Sequence, residues 1–284
     1  MLSSAAMEEL HPLDLEEAVR RFCERYDPGR VRAALVAGSG ISISANGWER
    51  AAVVAYQEVF PFPVLSLPGH EPSLTLWRRG ADGLLVFNGR FHLYQGYSVA
   101  HVTAIPRLAA LLGSPAYVAT NATGAMDPAV PPGSLVVIRD HINLQGTNPL
   151  AGEWGRWRGP MFPDMSDAYD PALRKAALRY AAEVGFTVFE GVYAGVLGPS
   201  FETPAEVEML RRAGGTVVGM STIQEVIAAR HLGMRVLVLS LATNSAAGIS
   251  KRPLTHEEVL EAGEAAKERF QQLIQRLVAD LVEG

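Results

Sequence analysis

Arg90, His92 and Tyr94 stand two residues apart in N-G-R-F-H-L-Y-Q-G, Asn88 to Gly96, directly after the apolar run Gly83-Leu84-Leu85-Val86-Phe87. If the period of a β-strand carries on, the three side chains share one face while Phe91 and Leu93 point the other way. A planar cationic fork, an imidazole and a phenol on one face suit an anion next to something that carries hydroxyls. A solvated strand face with a snorkelling arginine has the same composition. The segment alone leaves both readings open.

Further unusual residues gather where strands are expected to end. Gly38-Ser39-Gly40 follows the first apolar run, Leu67-Pro68-Gly69-His70 a short one, and Thr120-Asn121-Ala122-Thr123-Gly124 ends another. Gly219-Met220-Ser221 and Thr243-Asn244 end two more. Ligands of open α/β sheets bind at the carboxyl ends of strands, so weak motifs at equivalent positions reinforce one another. The glycine turn is not a dinucleotide fingerprint, since the third glycine of G-x-G-x-x-G falls at Ile43, and no G-K-[ST] is present. Ser39 remains as a hydroxyl within reach of an anion, and Ser221, read as the cap of a following helix, is a second. Ser39, Arg90, His92 and Ser221 together would make a phosphate site without a metal, with His70 as a possible addition. Glu202, beside Phe201 in a Gly/Pro loop, can hydrogen-bond a heterocycle stacked on the ring. Asn244 can donate and accept at once, which suits the edge of a purine. Each also has a plain structural reading: a turn serine, a helix cap, a surface carboxylate, a turn asparagine.

Composition narrows the classes. The chain has 284 residues, 48% of them hydrophobic, and a net charge of −5 from 25 basic and 30 acidic side chains. With no basic block, a broad nucleic-acid footprint is not expected. One cysteine, Cys23, excludes a disulfide scaffold and a cysteine-built metal cluster. Its place near Leu15, Val19 and Phe22 suggests a buried structural thiol. The seven histidines show no H-x-x-x-H or H-E-x-x-H pairing, so no catalytic metal is expected. No stretch has transmembrane length and the N-terminus lacks the pattern of a signal peptide, which makes a cytoplasmic protein the expectation.

The elements that must position these residues alternate along the chain. Strands are predicted over Val31 to Ala37, Leu84 to Asn88, Ala116 to Asn121, Ser134 to Arg139, Thr187 to Ala194, Thr216 to Met220 and Arg235 to Thr243. They are apolar on both faces, as in a sheet covered on both sides. Helix starts are marked by capping boxes at Thr203-Pro204-Ala205-Glu206, Ser221-Thr222-Ile223-Gln224 and Thr255-His256-Glu257-Glu258, and by Asp14, Ser98 and Asp170. This pattern predicts a single α/β domain, with a central mixed β-sheet flanked by helices on both sides. Residues 142–169 form a long loop rich in glycine, proline and tryptophan, of the kind used as lids or subunit contacts.

Taken together, V-A-G-S-G, L-P-G-H, N-G-R-F-H-L-Y-Q-G, T-N-A-T-G, I-R-D-H-I-N-L, F-P-D-M-S-D-A-Y-D, G-P-S-F-E-T-P-A-E, V-G-M-S-T-I-Q-E-V-I-A-A-R-H and T-N-S-A-A-G resemble the trimeric, low-molecular-mass purine nucleoside phosphorylases. The resemblance runs from Val36 to the C-terminal helix. It implies one nucleoside phosphorylase domain over 1–284, with 1–12 a loose extension. The implied reaction is reversible phosphorolysis of purine ribo- and deoxyribonucleosides to base and (deoxy)ribose 1-phosphate. Orthophosphate is then a co-substrate, and no cofactor, metal, nucleic acid or membrane is involved. Phosphate is placed on Ser39, His70, Arg90, His92, the Ala122 backbone and Ser221. Ribose is placed near Tyr94, Met220 and His256, and purine near Phe201, Glu202, Val218, Thr243 and Asn244. His92, Glu202, Asn244 and His256 form the implied catalytic set. Phe162 would reach a neighbouring subunit's ribose site in a homotrimer.

Some positions depart from the family pattern: Ser42 and Ala125 stand where glycines are common, Glu71 and Pro72 where small residues are, and Gln95 where glutamate is frequent. In the similar methylthioadenosine phosphorylases an aspartate replaces the asparagine at the base, so Asn244 with Glu202 points to the 6-oxopurines of inosine and guanosine. Alternatives are a methylthioadenosine or adenosine phosphorylase, a nucleoside hydrolase, and a non-catalytic nucleoside-binding protein on the same fold.

Overall fold

A computed structural model describes residues 14–283, apart from 39, 66–71, 154 and 250–255. The expected N-terminal extension, Ser39, His70, Glu71 and the cap at Thr255 lie outside the described residues. Of His256 to Leu260 only the backbone is described.

Among the described residues nine strands form one mixed sheet: β1 (Arg30–Ala37), β2 (Glu49–Ala55), β3 (Ser73–Arg79), β4 (Asp82–Asn88), β5 (Ala116–Ala125), β6 (Leu135–Asn143), β7 (Val188–Gly195), β8 (Val217–Gly219) and β9 (Arg235–Ser245). Their order is β2-β3-β4-β1-β5-β8-β7-β6-β9, and β5 also pairs with β9. That extra pairing closes β5, β8, β7, β6 and β9 into a ring, with β1 to β4 as an extension from its side. The helices are α1 (Leu15–Arg25), α2 (Tyr56–Val59), α3 (Val99–Val102), α4 (Ala104–Leu111), α5 (Pro171–Glu183), α6 (Pro204–Arg212), α7 (Ile223–His231) and α8 (His256–Glu283).

Strand alternation sends neighbouring residues into two large core clusters, beside a smaller third around Met126, Val207 and Leu210. Ala34 and Val36 of β1, Leu85 and Phe87 of β4, and Val236 and Val238 of β9 pack into one cluster with Ile105 and Leu108 of α4 and Val226 of α7. Their neighbours Ala33, Leu35, Leu84, Val86, Leu237 and Leu239 enter another, with Leu173 of α5 and Phe270 and Leu273 of α8. A sheet buried on both faces needs this near-continuous apolar sequence. Phe270 is 1% exposed, and truncating it to alanine would cost roughly 3–5 kcal/mol.

Capping follows the sequence at four helices. Asp14 accepts from the Glu17 N–H, Ser98 from that of His101, Asp170 from that of Leu173 and Thr203 from that of Glu206. Several expectations are corrected. β2 and β3, an antiparallel pair beside β4, carry a weaker apolar pattern because one face of β2 is wet. Among the described residues just before Leu67 there is no strand; Pro61 and Phe62 are bends, and 63–65 have no regular structure. Cys23 is exposed, because it lies one residue past Phe22 and so off the stripe of Leu15, Ala18 and Phe22 that α1 buries.

Candidate active site

Arg90 leaves β4 through Gly89, whose φ of +103° turns the chain away from the sheet. Arg90 to His92 run without regular structure and Leu93–Gln95 form one 3₁₀ turn, so Tyr94 is not on a strand as its spacing suggested. The division of faces still emerges: Phe91 is buried in the core, whereas Arg90, His92 and Tyr94 line a cavity of about 360 Å³. The His92 and Tyr94 rings stack at 4.6 Å.

The Arg90 guanidinium is sealed. Its side chain is 3% exposed and that of Glu225, on α7, is fully buried. Nε donates to Glu225 Oε1 at 3.0 Å and Nη1 to the Thr120 carbonyl at 2.8 Å, while the buried Nη2 has no hydrogen-bond partner among the described residues. Burial opposes the charge, but Glu225, aided by Tyr117, outweighs it and raises the Arg90 pKa. The arginine therefore brings to the cavity wall a fixed charge with an unused donor. His92 is pushed the other way, down to about 4, by burial and by the neighbouring Arg90 charge.

Ser221 and Thr222 follow β8. Thr222 has φ 72° and ψ −46°, and Ile223 N–H donates to the Ser221 carbonyl at 2.8 Å. This is the rare γ-turn with positive φ, strained for a β-branched residue. The expected cap is corrected accordingly: Thr222, not Ser221, occupies the cap position of α7, and no side chain caps the helix. The Ser221 hydroxyl pairs with Thr222 Oγ1 at 2.9 Å, and the Ser221 N–H donates to the Tyr193 hydroxyl at 3.3 Å. Thr222 Oγ1 also accepts from Asn121 Nδ2 at 2.9 Å. A Cβ on Gly219 would overlap the Tyr193 hydroxyl, so glycine is required there.

β5 joins the two halves of the site. Through Asn121 it reaches the Ser221 turn, and the Thr123 carbonyl accepts from Thr243 Oγ1 at 3.3 Å. Thr243 Oγ1 also meets Asn244 Oδ1 at 2.9 Å, and Asn244 Nδ2 donates to the Ser245 carbonyl at 3.1 Å. One hydrogen of the Asn244 amide is left for a ligand. Burial, then Glu206, raises the Glu202 pKa.

One cavity thus brings together Arg90, His92, Tyr94, Ala122, Phe201, Glu202, Val218, Met220, Ser221, Thr243 and Asn244. Phe162 is not part of it; the ring is 83% exposed. Ser39, His70 and the His256 side chain lie outside the described residues. Beside Ser39, a Cβ on Gly38 would stand 2.5 Å from the Thr120 carbonyl oxygen, so the loop runs hard against β5. Sequence reasoning assigned nothing to Asn121, Thr222 or Glu225. For Glu225 a signal existed: a carboxylate inside the apolar helix I-Q-E-V-I-A-A. The γ-turn at Thr222 had none.

Residues 43–279 match the phosphorylase superfamily. The chain is 41% identical to purine nucleoside phosphorylase 1 of Geobacillus stearothermophilus over 95% of its own length and 98% of the relative's. Its fold matches a crystal structure of a schistosome purine nucleoside phosphorylase in complex with hypoxanthine, with a TM-score of 0.86 at 34% identity over 93% of this chain and 96% of that one. A purine nucleoside phosphorylase in complex with ribose 1-phosphate matches with a TM-score of 0.80 at 33% identity, covering 92% and 96%.

Proposed function

The chain belongs to the phosphorylase superfamily, with purine nucleoside phosphorylases as relatives over nearly its whole length, and from that membership we propose that it phosphorolyses purine ribo- and deoxyribonucleosides, preferring the 6-oxopurines of inosine and guanosine. The observation that carries this reading is the union, in one cavity, of the Arg90 charge with its unused donor and the Asn244 amide with Glu202.

Breaking the C1′–N9 bond builds positive charge on the sugar and sends an electron pair into the departing purine. A phosphate oxygen then bonds to C1′ with inversion. Arg90, His92, Ser221 and the Ala122 backbone, with Ser39 and His70, hold the phosphate, which turns a bimolecular attack into a positioned one. Tyr94, Met220 and His256 receive the ribose. Phe201 and Val218 sandwich the base; Asn244, backed by Thr243, donates to its five-membered ring as charge arrives. Glu202 accepts from the six-membered ring. Such interactions accelerate the reaction only so far as they strengthen with the separated charges.

In this proposal 1–284 is one domain, the protein is a cytoplasmic homotrimer acting in purine salvage, and orthophosphate is the only accessory it needs. The exposure of Phe162 supports its contribution to a neighbouring subunit's ribose site. No helix among the described residues is long and apolar enough to cross a membrane. The test of base preference is the ratio of kcat/KM for inosine to that for adenosine at saturating phosphate. A ratio above one is expected; a preference for adenosine or methylthioadenosine would overturn the reading of Asn244 and Glu202.

A further inference from the structure

The two ring nitrogens of His92 have different fates. Nδ1 lies 3.0 Å from the side-chain oxygen of Gln95, and the His92 backbone N–H donates to that same oxygen at 3.0 Å. A backbone N–H can only donate, so the Gln95 atom that it meets is the oxygen and not the amide nitrogen. An oxygen facing Nδ1 in turn requires Nδ1 to carry a hydrogen. The Gln95 backbone N–H donates to the His92 carbonyl at 3.1 Å, closing the turn. With Nδ1 engaged, Nε2 is the ring nitrogen left for the cavity, and in the neutral ring it offers a lone pair.

Neutrality follows from the surroundings. Burial and the fixed Arg90 charge depress the imidazole, and Gln95 brings it a hydrogen-bond acceptor without a negative charge. Among the described residues, the other charged or titratable groups lining the cavity are Arg90, Tyr94 and Glu202, with Glu225 paired to Arg90. A site for an anion would ordinarily present donors alone. Among the described residues, donors from Arg90 and Ser221 stand here beside the His92 acceptor.

We propose that Gln95 is a positioning residue that makes His92 a hydrogen-bond acceptor in the anion site, so that the site selects an oxyanion carrying its own proton, such as hydrogen phosphate or hydrogen arsenate, over a fully deprotonated dianion of similar size. The inference rests on the phosphate reading given above. The P–O–H group donates to Nε2, the remaining oxygens accept from Arg90 and Ser221, and an unprotonated oxygen stays available for attack. Sulfate, with the same charge but no hydrogen, sets a lone pair against the Nε2 lone pair, and an acceptor facing an acceptor is an unmade hydrogen bond.

Calorimetric titration of the purified protein with inorganic phosphate and with sulfate, at about pH 8 and fixed ionic strength, tests this directly. Phosphate is expected to bind about tenfold tighter or more, the factor that one unmade hydrogen bond corresponds to. In Gln95→Glu the carboxylate keeps the ring protonated to higher pH and Nε2 becomes a donor. Followed over a pH series, the variant's ratio should fall to within about threefold on the acid side of the ring's raised range, where Nε2 carries a proton, and recover above it as sulfate affinity declines. Equal affinities in the wild type, or a ratio unmoved in Gln95→Glu, would overturn the proposal. Phosphate-dependent cleavage of inosine together with equal affinities would sink this inference alone, whereas cleavage that ignores phosphate would sink the phosphorolysis reading with it.

Discussion

Glu225→Gln removes one charge from the sealed pair with Arg90 while keeping its shape. The amide oxygen can still accept from Arg90 Nε, now 3.0 Å away, and Thr120 still accepts from Nη1. What is lost is the counter-charge, in a place where the two side chains are 3% and 0% exposed. Breaking a buried pair by removing one partner costs about 3–5 kcal/mol, and the retained hydrogen bond puts this substitution near the lower figure. In a chain of this size each kcal/mol is worth about 2–4 °C, so melting without phosphate should fall by roughly 6–12 °C. A bound phosphate replaces the missing negative charge, so saturating phosphate should raise the variant's melting temperature more than the wild type's. Thermal unfolding at one protein concentration, with and without phosphate, reads both quantities. A melting temperature within about 2 °C of the wild type, with an equal phosphate shift, would refute the reasoning. Glu225 would then be neutral in the folded chain and no counter-ion to Arg90.

Other perturbations separate the remaining roles. Asn244→Asp should shift the ratio of kcat/KM from inosine toward adenosine, and an unchanged ratio would remove Asn244 from the base pocket. Thr222→Gly releases a backbone held at φ 72° but deletes the hydroxyl shared by Asn121 and Ser221. Strain relief of about 1–3 kcal/mol and lost hydrogen bonds of about 1 kcal/mol each nearly cancel, so stability should change little while KM for phosphate rises; an unchanged KM would mean that the turn does not aim Ser221. His92, at about 4 in the folded chain against an ordinary 6.5, binds fewer protons than when unfolded. The stability it contributes is full above its unfolded value and is lost as pH falls toward its folded one, about 3 kcal/mol in all. His92→Asn should therefore flatten the acid limb of melting temperature against pH, leaving the slopes due to His101, His141 and His231, which burial also depresses, and an unaltered limb would contradict the depressed value.

The legible and illegible parts of this protein differ for physical reasons. Strands β1, β4, β5 and β9 announce themselves because both faces are buried and only apolar side chains fit. β2 and β3 do not, β2 because one face is wet and β3 because Ser73, Thr75, Arg78 and Arg79 interrupt its buried apolar residues. Proline and a capping box fix the start of α6 locally, so Thr203 needs no tertiary information. Ser221 looked like the same kind of signal, yet the γ-turn at Thr222 depends on Asn121, about a hundred residues earlier, and no local pattern carries it. The site clustered as the strand-end rule suggests. Its polarity did not show, since the roles of Glu225 and Gln95 come from what they face and not from what adjoins them in sequence.

Transfer of the glycosyl group to phosphate can be read directly from the products. The purified protein should be incubated with inosine with and without orthophosphate, following hypoxanthine and the sugar product together. Hypoxanthine released only with phosphate, matched mole for mole by ribose 1-phosphate, is the expected result. Release of free ribose without phosphate would make the chain a hydrolase and leave the Arg90, His92 and Ser221 cluster without a purpose.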